Sequence, residues 1–487
     1  MEREWSAYQR AVFTDFEDDT GNTAVRARAG SGKTSTIVEG LKYVPRGRRA
    51  LLCAFNRSIK DELSKRAPPG VDVRTIHSLG HTSCGRAFGR FEVEEKKTHL
   101  LAKRVLLGLE GELNKTNREY LGEQRVAGSS YVAQLAGYAK NTLCPLNVQA
   151  LQDLAEDRDI ETETLTREQL ARATLRTLKD CLELKSILDY DDMIWFPWQF
   201  QLRSESHDLV TVDEVQDLNP AQFYLVSSSM RKGGRLVAVG DDRQAIYAFR
   251  GAGRNSFEEL VREFNARVLP LSISYRCPKK VVALARQIVP DFEAPKSAIE
   301  GTIDVVRSVD AMLPNLRPGD FVLSRSNAPL AGICRDLLKR GVPACIAGKD
   351  IGRGLRTFIE KFEVNEVSEL FVVMQTWLSE QIERYRRLEK EEKIQQAVEK
   401  VSIVHALAEG AKDVPGLLLE IDRLFRDDDS HTRVVCSTVH KAKGLERDRV
   451  FVLNETFSVD RSVEEANLYY VAITRTRDYL ALVGGGT

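Results

Sequence analysis

The 487 residues contain no apolar run approaching the roughly 18 residues that a membrane-crossing helix needs. Apolar runs such as 50–55 and 236–239 are far shorter. There is no C-x-x-C pair among the eight cysteines at 53, 84, 144, 181, 277, 334, 345 and 436. That argues against a zinc ribbon and a dense disulfide framework, so reduced thiols are expected. Glycine (32) and proline (15) are too few for a collagen-like or low-complexity chain. There is no net charge, with 71 Lys+Arg against 71 Asp+Glu, so any basic surface must be local. With 43% hydrophobic and 29% charged residues, wholesale disorder is excluded. The start, MEREWSAYQRAVFTDFEDD, lacks the apolar core of a secretory leader, and a cytoplasmic location is expected.

What is present reads as α/β. Length alone suggests about three domains. Short β-branched runs recur at 23–29, 50–55, 208–214, 235–242, 267–274, 320–326, 449–453 and 479–483. Helical stretches separate many of them, which predicts parallel sheets with ligands just beyond the strand ends. Two segments break the rhythm. Residues 85–186 and 353–430 have helical character, and 380–400 mixes both charge signs at i,i+4 spacing, the pattern of a solvated helix face.

The stretch ARAGSGKTS (27–35) fits a phosphate-binding loop, with Ala27 where glycine is commoner. It follows one predicted strand and precedes a helix. Gly30 and Gly32 let backbone N–H groups turn towards phosphate, and the helix N-terminus adds partial positive charge. Lys33 is expected on the β/γ phosphates and the Thr34 hydroxyl on Mg²⁺. The second motif, LVTVDEVQD (209–217), delivers two carboxylates to a strand end. Asp213 is expected to hold the metal and Glu214 to polarise the attacking water.

At this point the residues resemble the superfamily 1A DNA helicases of the UvrD/Rep/PcrA type. The motifs occur in order: SAYQRAV with Gln9, AGSGKT, AFNRSIKDEL (54–63), RTIHSLG (74–80), LDYDDMI (188–194) leading into VDEVQD, GDDRQAIYAFRGA (240–252), SYRCP (274–278), CSTVHKAKGLE (436–446) and NLYYVAITRTRD (467–478). The resemblance implies two RecA-like parallel-sheet lobes, each with a helical insertion, and ATP held in the cleft between the lobes. The nucleotide contacts it implies are Gln9 on the adenine, Tyr275 stacking on the base, and Arg28, Ala29, Gly30, Ser31, Gly32, Lys33, Thr34 and Ser35 around the phosphates. Gln244 would sense the γ-phosphate. Arg276 and Arg475 carry planar cations suited to the transferring phosphoryl group. Glu446 is expected near the ribose, Lys443 as a further phosphate contact and Gly444 within the same nucleotide site.

The same resemblance implies a single-stranded DNA path along Phe55, Asn56, Thr75, His77, Tyr247, Phe249, Arg250, Thr438 and His440. Aromatic platforms with backbone charge hold single strands of any sequence. Phe249 stands where tryptophan is commoner and, with VHKAKGLE, is similar to the F-box DNA helicase branch. Residues 42–74 carry nine Lys/Arg against three acids, a local excess of six. Stacking ignores the sugar, so residues alone do not separate RNA from DNA; the resemblance implies DNA. His77, His81 and Cys84 could be read as metal ligands, but a fourth is not visible and zinc is not expected.

The expected domains are 1–84 and 187–265 for lobe 1A, 85–186 for insertion 1B, 266–352 and 431–487 for lobe 2A, and 353–430 for a short insertion 2B. The short stretch after the last motif leads us to expect no appended nuclease. The function expected is ATP-dependent 3′→5′ movement on single-stranded DNA with strand separation, in repair, recombination or replication. The partners would be single strands and single/double-strand junctions, with the protein as a monomer off the membrane. The polarity is implied by the resemblance alone. A translocase that strips proteins without processive unwinding, and a nucleotide-gated DNA clamp without turnover, are the alternatives.

Overall fold

A computed structural model describes residues 4–18, 20–110, 113–160, 162, 164–246, 256–387, 390–426 and 431–484. The chain divides into two compact units, one of residues 1–28 and 32–272, the other of residues 29–31 and 273–487.

The first unit opens with α1 (Ala7–Asp18), β1 (Thr23–Ala27), α2 (Lys33–Gly40), β2 (Ala50–Ala54), α3 (Arg57–Arg66), β3 (Asp72–Thr75) and α4 (Ile76–Phe88). A two-residue strand β4 (Glu92–Val93) leads into α5 (Lys97–Leu106), α6 (Lys115–Glu123), α7 (Ser129–Thr142), α8 (Val148–Asp157) and α9 (Arg167–Glu183). Then come β5 (Ile187–Leu188), α10 (Tyr190–Gln199), β6 (His207–Val212), α11 (Pro220–Ser228), β7 (Met230–Gly240), α12 (Ser256–Glu263) and β8 (Arg267–Leu271). The sheet order is β3-β2-β6-β7-β1-β8, parallel throughout its pairings. Such a sheet must be covered on both faces. On one face Val12, Phe16, Ile37 and Leu63 come from α1, α2 and α3. On the other Leu79, Ile194, Leu225 and Phe257 come from α4, α10, α11 and α12.

The helices α5 to α9 form a separate core around Leu101, Leu135, Leu151 and Leu178. That core takes in Trp195 and Phe196 of α10. β4 and β5 pair in parallel and so pin together the two ends of the insertion expected at 85–186.

The second unit runs α13 (Lys279–Ala285), β9 (Thr302–Val306), α14 (Val309–Met312), β10 (Phe321–Ser324), α15 (Ala328–Lys339), β11 (Ala344–Ile346), α16 (Lys349–Glu360), α17 (Val367–Arg387), α18 (Glu391–Ala408) and α19 (Val414–Leu424). It closes with β12 (Val434–Thr438), α20 (Val439–Ala442), β13 (Arg447–Leu453), α21 (Val463–Ile473) and β14 (Thr476–Val483). Its sheet order is β11-β12-β10-β13-β14-β9, again parallel.

Two expectations about boundaries change. The second lobe was expected to begin at residue 266, but β8 pairs with β1 over Thr23–Ala27, so the first unit extends through Ser272. The apolar run 267–274 satisfies either sheet's pattern, and only pairing decides which one it joins. The 353–430 segment was expected as an insertion in its own right. Instead Leu370, Met374, Val404 and Leu417 share one apolar cluster with Val322, Leu330 and Val434 of the sheet and its covering helix.

Candidate functional site

β1 ends at Ala27, and the loop to α2 turns through Gly30 (φ 70°) and Gly32 (φ 77°). Both lie in the left-handed region that glycine enters without a Cβ penalty. Lys33 opens α2, and its Nζ lies 2.9 Å from Glu214 Oε2. The Thr34 hydroxyl donates to Asp213 Oδ2 at 3.0 Å. The end of β6 therefore meets the glycine loop and the start of α2 through two side-chain pairs. Burial works against the Lys33 ammonium, but Glu214, Asp241 and Asp213 outweigh it and its pKa is raised. Asp213 is pushed up to about 6, first by burial and then by Glu214, with Lys33 and Thr34 opposing.

Mg²⁺ and a triphosphate fit these groups. A hydroxyl and a carboxylate 3.0 Å apart are the oxygen donors that a hard cation takes. In the same loop the Ser31 hydroxyl is 2% exposed, and its oxygen has no hydrogen-bond partner among the described residues. A buried polar atom left so is costly unless a ligand meets it.

Glu214 itself has φ 53°, a strained backbone for a residue with a side chain. Gln216 holds it, donating from Nε2 to Glu214 Oε2 at 2.6 Å and accepting from the Asp241 N–H at 3.2 Å. Sequence reasoning missed Gln216, although it stands in the quoted VDEVQD. Gln244 is buried and donates to Asp241 Oδ2 at 2.8 Å. Gln9 is buried too, donating to Thr36 Oγ1 at 3.1 Å. Ser35 accepts from Arg66 at 3.0 Å. Arg28 was expected on phosphate; its Nη1 meets Asp242 at 2.6 Å and Asp241 at 3.2 Å, which makes it a brace for the loop after β7.

In the second unit, the Ala29 N–H donates to the Tyr470 hydroxyl at 2.9 Å and the Tyr275 N–H to Gly30 O at 2.8 Å. A Cβ on Gly30 would lie 2.5 Å from Arg276 Cβ, so the loop closes there only as glycine. The Tyr275 ring is 45% exposed, as a stacking surface requires. Arg276 pairs with Glu446, which also accepts from Arg477 Nε at 3.1 Å. Burial raises the Glu446 pKa, but Arg276 and Arg477 outweigh it and the net shift is downward. Arg475 is buried against the carbonyls of Val471 (3.0 Å) and Leu445 (3.3 Å). Burial and then Arg276 lower its pKa to about 10. Gly444, φ 89°, follows Lys443 at the end of α20.

The expected DNA residues divide. Phe55 is 41% exposed at the end of β2. Asn56 and Thr75 cap α3 and α4, accepting from the Ile59 and Ser78 N–H groups at 2.9 and 3.2 Å. His77 meets Tyr190 edge-on at 6.1 Å, and burial lowers its pKa, so it is neutral near pH 7. Tyr190, 49% exposed, was missed; the signal was the aromatic in LDYDDMI, read only as a lead-in. Thr438 is buried at the start of α20, which carries His440. Tyr247, Phe249 and Arg250 lie outside the described residues. The basic excess of 42–74 is reduced by acids from elsewhere: Lys42 pairs with Glu39, Arg48 with Asp208, and Arg74 with Glu205.

His81 packs on Phe91 at 4.8 Å, and burial pushes the Cys84 thiol up to about 12. Among the described residues, Asp72, Glu205 and His207 bring ligand atoms within 4.8 Å of one another. Arg74 and Arg86 already neutralise those carboxylates, which disfavours a further cation.

The glycine loop and the two parallel sheets define a RecA-like P-loop fold. Residues 6–265 match the UvrD/REP helicase N-terminal domain and residues 433–483 the UvrD-like helicase C-terminal domain. The chain belongs to the UvrD/REP helicase family. It is 25% identical over 297 residues to the ATP-dependent DNA helicase Rep of Escherichia coli, covering 55% of this chain and 41% of Rep. It is 23% identical over 513 residues to F-box DNA helicase protein 1 of Schizosaccharomyces pombe, covering 94% of this chain and 55% of that protein. With the ATP-dependent DNA helicase UvrD1 of Mycobacterium tuberculosis it shares 26% identity over 301 residues, 54% of this chain and 36% of UvrD1. The chain thus spans between just over a third and just over half of the relatives' length. Among the described residues, no helix is long and apolar enough to cross a membrane.

Proposed function

We propose that the protein is an ATP-dependent DNA helicase and translocase that moves 3′→5′ on single-stranded DNA. The observation that supports ATP hydrolysis in this reading is the pairing of Lys33 with Glu214 and of Thr34 with Asp213 at the end of β6. Thr34 and Asp213 would hold Mg²⁺, which supplies positive charge to phosphoryl oxygens. Lys33 binds the β/γ phosphates. Glu214, fixed by Gln216, takes the proton of the attacking water through a carboxylate oxygen. Gln244 senses the γ-phosphate. Arg276 and Arg475 supply planar cations to the charge that develops on it. Phe55, His77 and the exposed Tyr190 offer π-faces to successive bases. ATP hydrolysis would then alternate the grip on the strand and give one-way stepping.

The DNA substrate rests on resemblance to the helicases named above, and the polarity on the motif resemblance alone. The test is phosphate release titrated with single-stranded DNA, followed by unwinding of duplexes with either a 3′ or a 5′ tail. Stimulated turnover with preference for the 3′ tail is expected. Turnover indifferent to DNA would overturn the proposal. A second reading, a translocase that strips proteins without processive unwinding, is favoured by helices α16–α19 sharing the sheet's core and so forming no separate duplex-binding body. Protein displacement from single strands without duplex melting would establish it.

A further inference from the structure

The proposed DNA face and the catalytic turn lie on different elements of the first unit, and a chain of side-chain hydrogen bonds joins them. Tyr190 opens α10 and meets His77, while the next residue, Asp191, meets α7. Asp191 Oδ1 accepts from Asn141 Nδ2 at 3.1 Å. Asn141 Oδ1 accepts from Asn219 Nδ2 at 2.7 Å. Asn219 caps α11, its side chain accepting from the Gln222 N–H at 2.8 Å while its own N–H donates to Gln222 Oε1 at 3.1 Å. The five residues before Asn219 are the turn that begins with Glu214.

The directions of these bonds are fixed by their surroundings. Asn141 Nδ2 also donates to Gly137 O at 2.7 Å, one helical turn back on α7. A carboxylate and a carbonyl only accept, so this end of the Asn141 amide must be its NH₂. The other end is then its oxygen, and Asn219 must donate to it. Asn219 in turn must present its own oxygen to the Gln222 N–H. Neither asparagine amide can flip without breaking at least two contacts.

Neighbouring groups hold the ends. Lys140, next to Asn141, binds Asp189 Oδ1 at 3.2 Å and Asp192 Oδ1 at 2.7 Å, so α7 is tied to the first turn of α10. Gly137 lets that carboxylate approach, since a Cβ there would lie 3.3 Å from Asp191 Oδ2. A shift of α10's first turn therefore carries Asn141 with it, and Asn141 draws on the cap of α11.

We propose that Asn141 is a positioning residue for ATP hydrolysis, which with Asn219 couples DNA held at Tyr190 to the setting of the Glu214 turn. This rests on the function proposed above and adds to it which residue of the helical insertion carries the coupling. Asn141 touches neither nucleotide nor base in this scheme. It acts through Asp191 on one side and Asn219 on the other.

The experiment compares the full chain with Asn141→Leu, Asn219→Ser and the double variant, reading phosphate release without DNA and with saturating single-stranded oligonucleotide. Oligonucleotide affinity is read by fluorescence anisotropy. Asn219→Ser keeps a capping hydroxyl but is too short to reach Asn141, so it carries the test should Asn141→Leu melt early. Stimulated turnover is expected to fall about fivefold in each single variant and no further in the double, the factor one net hydrogen bond is worth. Basal turnover and oligonucleotide affinity stay unchanged. Full stimulation in both single variants, additive losses in the double, or equal loss of basal and stimulated turnover would each overturn the coupling. A wild-type protein that DNA does not stimulate would overturn the proposed function together with it.

Discussion

Replacing Lys140 by methionine tests whether the buried charges of the first unit act as one network. The Lys140 side chain has no exposed surface. Its ammonium lies 2.6 Å from Thr98 Oγ1, 3.1 Å from Asp189 Oδ2 and 2.7 Å from Asp192 Oδ1, and 5.8 Å from the Trp195 ring centre. Lys97, equally buried, pairs with Asp192 Oδ2 at 2.7 Å. Methionine fills similar volume but leaves two buried carboxylates facing one ammonium. Breaking such a pair costs about 3–5 kcal/mol, because the remaining charge is desolvated without compensation. In a unit of this size each kcal/mol moves Tm by about 2–4 °C, so a fall of about 10 °C is expected by calorimetry. Adding Asp189→Asn to Lys140→Met removes the stranded charge and keeps the cap on α10, whose Asp192 N–H donates to Asp189 at 2.7 Å. That double variant should recover part of the loss. A single variant melting within about 2 °C of wild type, or a double variant no better than the single, would refute the reasoning.

The same network fixes a pH window. Burial opposes the Asp189 carboxylate, but Lys140 and Thr98 outweigh it and its folded pKa is lowered. Its contribution is therefore complete above the unfolded value of about 4 and is lost as pH falls through the lower folded value. For Lys140 burial is again outweighed, by Asp189 and Asp192, and its pKa is raised. That contribution is complete below the unfolded value of about 10.4 and is lost as pH rises through the folded one. Thermal melts across pH should show these two limbs in wild type and neither in Lys140→Met/Asp189→Asn.

Glu214→Gln should lower DNA-stimulated turnover by about 10²–10⁴ while a fluorescent ATP analogue still binds; retained turnover would remove Glu214 as the base. Phe55→Ala and Tyr190→Ala should each cost about 1–3 kcal/mol of oligonucleotide affinity, and anisotropy unchanged in both would remove the strand from this face. Gly80→Ala should destabilise the first unit by about 1–3 kcal/mol or more, since a Cβ there would lie 1.9 Å from Met193 O, where α4 crosses α10; an unshifted melting curve would contradict that contact.

The chemistry-bearing stretches were legible because each is local. A glycine loop between strand and helix, and two carboxylates at a strand end, need only a few consecutive residues to be recognised. Gln216 and Tyr190 stood in quoted motifs but their roles depend on what lies opposite, which is Asp241 in one case and His77 in the other. Arg28 reads as a phosphate cation until Asp241 and Asp242 are seen beside it.

The order of residues alone determined the parallel α/β class, the glycine loop between strand and helix and the pair of carboxylates at a strand end, because hydrophobic periodicity and turn chemistry are written in neighbouring positions. Tertiary structure alone decided that β8 joins the first sheet, that the second helical segment shares the sheet's core, and that Asn141 reaches Asn219. Those outcomes turn on pairings between residues far apart in the chain, where an apolar run or an amide has many acceptable partners and only packing selects one.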